Sequence, residues 1–315
     1  MTSDYAIQTH HLTRYFGAKR VVYDLNLAVP RGSIFGFLGR NGSGKTTSLR
    51  MILGLLAPTW GSSTLLGHDS QNLPPEVRAR VGYLAEGHPV FGWMRVRDAH
   101  SFQSQFYPKW NRNLFNAVLE FFRVDPNTRA RNLSRGERAG LCLALALAPE
   151  PDLLILDDPA IGLDPVARRS LLESMVYATR KTDRTIIFSS HLLADIERMA
   201  DHIAVLDYSI LRAQCSLDTF RSCVQQFVLT FDGKPPELPA IRGMIQCIPR
   251  ANSLRLTIAN VTQETRALMQ SLGASRIDEV PISLEDAFVS YLGGSFETGQ
   301  LPAAMPPEPV AGGVA

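Results

Sequence analysis

The sequence predicts an α/β protein with a partly parallel sheet, on three observations. Short apolar runs suited to buried strands alternate with stretches of helical periodicity. A glycine-rich segment, residues 39–47, lies between one such run and a helix. The 315 residues are 45% apolar and 20% charged, an ordinary globular composition. At roughly 150 residues per domain the length suits about two domains.

The elements follow in order. Leu25, Leu27 and Val29 alternate with polar or small residues, which is the strand period, and Pro30-Arg31-Gly32 is a turn. Residues 33–38 form a short apolar run. It leads into Gly39-Arg40-Asn41-Gly42-Ser43-Gly44-Lys45-Thr46-Thr47, after which 46–56 read as a helix ending before Pro58. The stretch from about 87 to 147 is helical: Leu114, Phe115, Val118, Leu119 and Phe122 recur at three- and four-residue spacing. Three further runs, 153–156, 185–189 and 203–206, read as buried strands. The first is bounded by Pro151 and by Asp157-Asp158-Pro159.

The composition changes after about Cys223. Residues 227–231 and the set Leu254, Leu256, Ile258 read as strands. Residues 262–272 read as a helix stopped by Gly273, and Ser283-Leu284-Glu285-Asp286 resembles a capping box opening another. The chain is therefore divided into a large domain over 1–224, a small α+β domain over 225–292 and a disordered tail over 293–315, with no internal repeat.

The balance of 32 basic and 30 acidic residues, net +2, is too even to argue for a nucleic-acid binder. No stretch approaches the ~18–20 apolar residues that span a bilayer. No basic region followed by an apolar core opens the chain, so no secretory signal is expected. Cys142, Cys215, Cys223 and Cys247 form no Cys-x-x-Cys pair, so reduced thiols are expected rather than zinc ligands or disulfides.

Gly39-x-x-x-x-Gly44-Lys45-Thr46 matches the phosphate-loop pattern in full. Its glycines let successive backbone N–H groups converge on an anion, and the helix N-terminus adds a favourable dipole. Lys45 is suited to reach β- and γ-phosphates, and the Thr46 hydroxyl to sit on Mg²⁺. The run 153–156 carries Asp157 to the carboxyl edge of the sheet, where it can hold Mg²⁺ through water. Asp158 can orient or deprotonate a water. Leu133-Ser134-Arg135-Gly136-Glu137 stands upstream of that pair.

This order of motifs resembles the ATP-binding subunits of ABC transporters. Leu133-Ser134-Arg135-Gly136-Glu137 looks like a variant of that family's signature. Ile161-Gly162-Leu163-Asp164 resembles its D-loop, and Ser189-Ser190-His191 its switch histidine. The likeness covers about residues 5–220. Leu284-Glu285-Asp286-Ala287-Phe288 and the small C-terminal domain look most like subunits of ABC-2-type exporters.

The resemblance implies a fold and a set of roles. The fold is a phosphate-loop ATPase with a RecA-like core sheet, an N-terminal antiparallel β part and a helical subdomain at about 87–147. ATP would be held by Gly39, Arg40, Asn41, Gly42, Ser43, Gly44, Lys45, Thr46 and Thr47. Ser134 and Gly136 would contact the γ-phosphate of the opposite subunit, although Ser134 also reads as a simple helix cap. His191 would contact the γ-phosphate. Phe16 would stack on adenine, with Tyr15 the adjacent alternative. Lys45, Asp158 and His191 form the catalytic set; Thr46, Glu86 and Asp157 form the Mg²⁺ set.

Two departures from the family pattern matter. Asp158 stands where the family has its catalytic glutamate, shortening the reach by roughly 1.5 Å, and a misplacement near 1 Å can cost about a hundredfold in rate. Glu86, in Gly82-Tyr83-Leu84-Ala85-Glu86, replaces the usual glutamine. It still offers oxygen to Mg²⁺ but adds negative charge. Beyond it lie Phe91, Trp93, Met94, Phe102, Phe106, Tyr107 and Trp110, in the region that receives a coupling helix in the family. Most are expected in the core of the helical subdomain, and two or three in a groove.

The function implied is ATP-driven export through a separate transmembrane permease. A second ABC ATPase subunit, identical or paralogous, would complete the nucleotide sites. Nucleic acid is not an expected partner. The location implied is cytoplasmic, on the inner face of the membrane through the permease. The alternatives are a soluble ABC-type ATPase acting on nucleic acid or ribosomes, and a non-hydrolysing regulatory subunit.

Overall fold

The computed structural model describes residues 4–180 and 184–293. The tail expected over 293–315 lies, but for its first residue, outside them. The chain divides after Gln214 into two compact units.

The first unit runs β1 (Tyr5–Phe16), β2 (Lys19–Leu25), β3 (Ala28–Pro30), β4 (Ile34–Gly39), α1 (Lys45–Ile52), β5 (Trp60–Leu65), β6 (His68–Asp69), α2 (Pro75–Arg78) and β7 (Val81–Leu84). It continues α3 (Val96–Gln103), α4 (Arg112–Phe121), α5 (Arg135–Leu147), β8 (Leu153–Leu156), α6 (Pro165–Arg180), β9 (Thr185–Ser190), α7 (Leu193–Met199), β10 (His202–Asp207) and β11 (Ile210–Ser216).

A six-stranded sheet takes the order β11-β10-β4-β9-β8-β7. The pairs β10/β4, β4/β9, β9/β8 and β8/β7 are all parallel. Every residue of β4, β8 and β9 is buried. A parallel strand covered on both faces needs apolar residues on both, which is why these strands read as unbroken apolar runs. Full burial of each such Val, Leu, Ile or Phe contributes about 1.5–3 kcal/mol. A five-stranded sheet built around β1 supplies the antiparallel part. Ile7, Leu12 and Val29 from it share one core cluster with Phe35, Phe37, Leu153 and Ile187 of the parallel sheet.

Helix α1 stops at Ile52, earlier than the expected 56. The stop is Gly54, whose φ is +69°; a Cβ there would lie 2.0 Å from the Ser70 carbonyl oxygen. The left-handed turn and the close approach of the Ser70 backbone both require glycine.

Helices α3, α4 and α5 occupy the region read as helical, with Phe115, Val118 and Leu119 of α4 buried. The aromatics around them differ from expectation. Met94 is buried, but Phe91, Trp93, Phe102 and Phe106 are all exposed, and Tyr107 and Trp110 are half-buried. Phe91 and Trp93 stand in the loop before α3 and Phe106 in the turn after it, where no helical period applies, while Phe102 is an exposed residue of α3 itself.

The second unit runs α8 (Leu217–Cys223), β12 (Val224–Thr230), β13 (Met244–Pro249), β14 (Ser253–Ala259), α9 (Gln263–Ser271), β15 (Arg276–Val280) and α10 (Leu284–Gly293). Its sheet has the order β13-β14-β12-β15. Phe227, Leu229, Leu254, Leu256 and Ile258 form its core with Met269 of α9. The unit starts at Cys215, ahead of the boundary expected at 224/225, so that the last two residues of β11 and all of α8 group with it.

Candidate active site

The parallel sheet gathers the chemistry at one edge. Registers pair Leu38 with Ser190 and Leu156 with Phe188. The residues that follow β4, β8 and β9, namely the glycine loop, Asp157-Asp158 and His191, therefore emerge side by side at the carboxyl ends, where open α/β sheets bind ligands.

The loop after β4 is shaped by Gly42 and Gly44, with φ of +80° and +110°. A Cβ on Gly44 would lie 2.4 Å from the Val21 carbonyl oxygen, so backbone alone fits there. Gly44 caps α1 with no side-chain hydrogen bond, and the first turn of α1 holds no acidic residue. The N–H groups and dipole of that helix end are thus met by no carboxylate or cap of the helix's own first turn. The Ser43 hydroxyl is buried with no hydrogen-bond partner among the described residues. Arg40, Asn41 and Gly42 are exposed, and Thr46 and Thr47 are half-buried.

Lys45 is buried. Its Nζ donates to the Gly39 carbonyl at 2.7 Å and the Arg40 carbonyl at 3.0 Å. Burial pushes its pKa down, while the charges of Asp158, Asp157 and Glu86 oppose that shift.

Asp157 has no exposed surface. Its Oδ1 accepts from the Thr46 hydroxyl at 3.0 Å and from the Ser189 hydroxyl at 2.9 Å. Its Oδ2 is buried with no hydrogen-bond partner among the described residues. Burial raises the Asp157 pKa, and the two hydroxyls pull it back. The Thr46 hydroxyl also lies 3.4 Å from Glu86 Oε2. These hard oxygens fit a Mg²⁺ ion, which takes one or two carboxylates and completes its octahedron with water and substrate phosphates. Among the described residues there is no cluster of three or more His, Cys, Asp or Glu that could by itself hold a metal ion.

Asp158 adopts a left-handed backbone, φ +41°, which is uncommon for a residue with a side chain. Its Oδ2 lies 2.9 Å from His191 Nδ1. The carboxylate is nearly buried, while a third of the imidazole is exposed.

Ser134 and Gly136 stand elsewhere. Ser134 caps α5, its Oγ accepting from the Glu137 N–H at 3.2 Å while Glu137 Oε2 accepts from the Ser134 N–H at 2.8 Å. Both readings of Ser134 therefore remain compatible: the cap is formed, and the side chain is exposed. A hollow of about 570 Å³ is lined by Phe121, Ser134, Gly136 and, from the D-loop side, Asp164 and Val166; no phosphate-loop residue lines it. Phe16 is exposed, with the Arg14 guanidinium 4.6 Å from its ring centre. Tyr15 is instead engaged edge-on with Trp60, at 5.6 Å between centroids.

The family model described as ABC transporter matches residues 22–161. The bacitracin transport ATP-binding protein BcrA of Bacillus licheniformis is 33% identical over 214 residues, covering 67% of this chain and 70% of that protein. The Nod factor export ATP-binding protein I of Rhizobium johnstonii is 30% identical over 312 residues, covering 94% and 97%. The chain belongs to the ABC transporter family. It is an ATP-binding ATPase of that family. The ABC transporter ATP-binding protein YtrB of Bacillus subtilis is 28% identical and is covered over 98% of its length. A solved ATP-binding subunit of an ABC transporter aligns with a TM-score of 0.62 and 26% identity, over 69% of this chain and 92% of that one. A dimeric bacterial ABC transporter cassette shares the fold, at TM-score 0.61 and 19% identity.

Two residues that the sequence does not single out bear on this candidate site. Ser189, the first residue of the Ser189-Ser190-His191 motif, touches both Asp157 and Asp158. His88 is buried, and its Nε2 lies 2.9 Å from the carbonyl oxygen of Pro159. A carbonyl only accepts, so Nε2 carries the hydrogen. His88 thereby ties the Glu86 segment to the turn that holds Asp158. Only its position two residues after Glu86 could have flagged it.

Burial lowers the pKa of His88 below its usual 6.5. The neutral ring is thus favoured in the fold, and its stabilisation is present above 6.5 and lost as pH falls through the folded value. The unfolding midpoint of His88→Gln should accordingly fall less than that of the native chain between about pH 7 and about pH 5. Parallel midpoint curves would remove His88 from the acid sensitivity of the fold.

Proposed function

We propose that this ABC ATPase powers export through a separate transmembrane permease, two ATPase chains closing over two ATP molecules. The observation that carries the reading is the separation of half-sites. Lys45, Thr46, Asp157 and Asp158 converge at the sheet edge, whereas Ser134 and Gly136 line a different hollow. Each half lacks what the other supplies, so a second copy or a paralogue brings Ser134 and Gly136 to the γ-phosphate held by the first.

In this reading the loop N–H groups and Lys45 bind the β- and γ-phosphates. Thr46, Asp157 and Glu86 hold Mg²⁺, which when bound offsets phosphate charge. Asp158 accepts the proton of the attacking water, and His191 steadies that carboxylate and faces the γ-phosphate. Phe16 offers its open face to adenine. Binding closes the pair of chains and hydrolysis with release reopens it, a ligand-biased two-state switch. Export is supported by relatives named for bacitracin transport and Nod factor export. A separate permease is supported by the lack, among the described residues, of any helix long and apolar enough to cross a membrane. The chain then sits at the inner face of the cell membrane through that permease.

Ser134→Arg tests the shared site. Nucleotide binding by a single chain should stay within about twofold, because Ser134 has no part in its own chain's phosphate loop. ATP-driven dimerisation, followed by light scattering while hydrolysis is blocked, should be lost through bulk and charge at the closing face. Normal dimerisation of this variant would contradict the sandwich.

A further inference from the structure

We infer that Ser189 is a positioning residue for Asp158, acting on the peptide between the two aspartates. The inference rests on the reading of Asp158 as the general base. Ser189 belongs to β9 and has no exposed surface. Its Oγ lies 2.9 Å from Asp157 Oδ1 and 2.7 Å from the Asp158 nitrogen. A serine hydroxyl has one hydrogen and two lone pairs. The peptide N–H can only donate, so Ser189 accepts from Asp158 and spends its single hydrogen on Asp157. Both contacts are satisfied in one orientation and no other.

That orientation matters because of the backbone it holds. Asp158 has φ +41°, a conformation that a side-chain-bearing residue keeps only where its surroundings over-determine it. The Asp158 N–H is one fixed point, held by Ser189. The Asp158 carboxylate is the other, 2.9 Å from His191 Nδ1. Ser189 is the penultimate residue of β9 and His191 the first residue beyond that strand, so the acid is gripped at both ends from one strand terminus. The side chain of an aspartate is short, and its reach is set by where its backbone points. Removing the hydroxyl leaves the Asp158 N–H without its partner and releases the turn. Asp157 keeps the Thr46 hydroxyl, so the phosphate side of the site is retained.

The test uses the full chain as Ser189→Ala, Ser189→Thr and Asp158→Asn. Steady-state hydrolysis under varied Mg-ATP is measured beside equilibrium binding of a non-hydrolysed ATP analogue. Ser189→Ala should lower kcat between about tenfold and a hundredfold, the scale of a 1 Å misplacement, with KM and analogue affinity within about twofold of native. Ser189→Thr keeps the hydroxyl and should recover most of the rate. If Ser189→Ala does not fold, shown by loss of analogue binding, Ser189→Cys takes its place: its weaker sulfur contact should give a kcat between those of Thr and Ala-like loss. Native kcat in Ser189→Ala beside an inactive Asp158→Asn overturns the inference and leaves the base intact. Native turnover in Asp158→Asn overturns both. Ser189→Thr binding the analogue yet failing to recover rate also overturns it.

Discussion

Lys45→Ala is expected to weaken Mg-ATP binding by a hundredfold or more. Two charge-assisted contacts to phosphate oxygens are lost together, each worth about 1.5–3 kcal/mol, and every 1.4 kcal/mol is about tenfold in affinity. The free protein should behave differently. Burial pushes the Lys45 pKa down, so the chain bears a desolvation cost to hold this ammonium inside. Its Nζ is meanwhile hydrogen-bonded to the loop carbonyls of Gly39 and Arg40 and drawn by the charges of Asp158, Asp157 and Glu86. Alanine removes the cost together with those two contacts, and stability without nucleotide should change by about 1 kcal/mol or less. ATP at a thousand times its Kd stabilises the native chain by about 4 kcal/mol through mass action. Thermal midpoints measured with and without Mg-ATP should therefore diverge for the native chain and nearly coincide for the variant. Equal ATP affinity of the two chains in an equilibrium titration would remove Lys45 from the site.

What the sequence made legible follows the strength of the local signal. Strands β4, β8, β9 and β10 were readable because central parallel strands must be apolar on both faces. The glycine loop was readable because its spacing is chemical: Gly44 can carry no Cβ against Val21. The strand-end position of Asp157 followed from both. Strands β13 and β15 were missed because they are the edges of their sheet. Half-exposed edges such as Arg276–Val280 carry little apolar pattern. The end of α1 was misplaced because its stop depends on the Ser70 backbone, distant in sequence from Gly54. The aromatics after Glu86 were expected mostly inside because aromatic residues usually bury; the exposure of Phe91, Trp93, Phe102 and Phe106 depends on packing that no local period encodes. Ser189 and His88 were passed over for a related reason. Serine and histidine are common, and only the folded chain brings Ser189 against two aspartates and His88 against Pro159.

Asp158→Asn should keep ATP binding and lower turnover by about a hundredfold to ten-thousandfold, the contribution of a positioned general base. The substitution is close to shape-neutral here for three reasons. Asparagine tolerates a left-handed backbone better than most residues, so φ +41° is preserved. The peptide N–H still donates to Ser189 Oγ at 2.7 Å. The amide oxygen can still accept a hydrogen from His191 Nδ1, which lies 2.9 Å from the native carboxylate. What disappears is the proton acceptor alone, so an ATP-bound dimer should accumulate in this variant and be visible by light scattering. Asp158→Glu then reports how the site is built. The extra methylene pushes the carboxylate past its present contact with His191, in a side chain that is nearly buried. A large rate gain would mean that the short acid stands too far from its water. A loss would mean that the end of β9, through Ser189 and the His191 that follows it, has shaped the pocket for aspartate, and the tie between His191 and Asp158 favours the loss. Native and Asn-variant rates that cannot be distinguished under saturating Mg-ATP would overturn the base assignment and bring forward a regulatory chain that binds ATP without hydrolysing it.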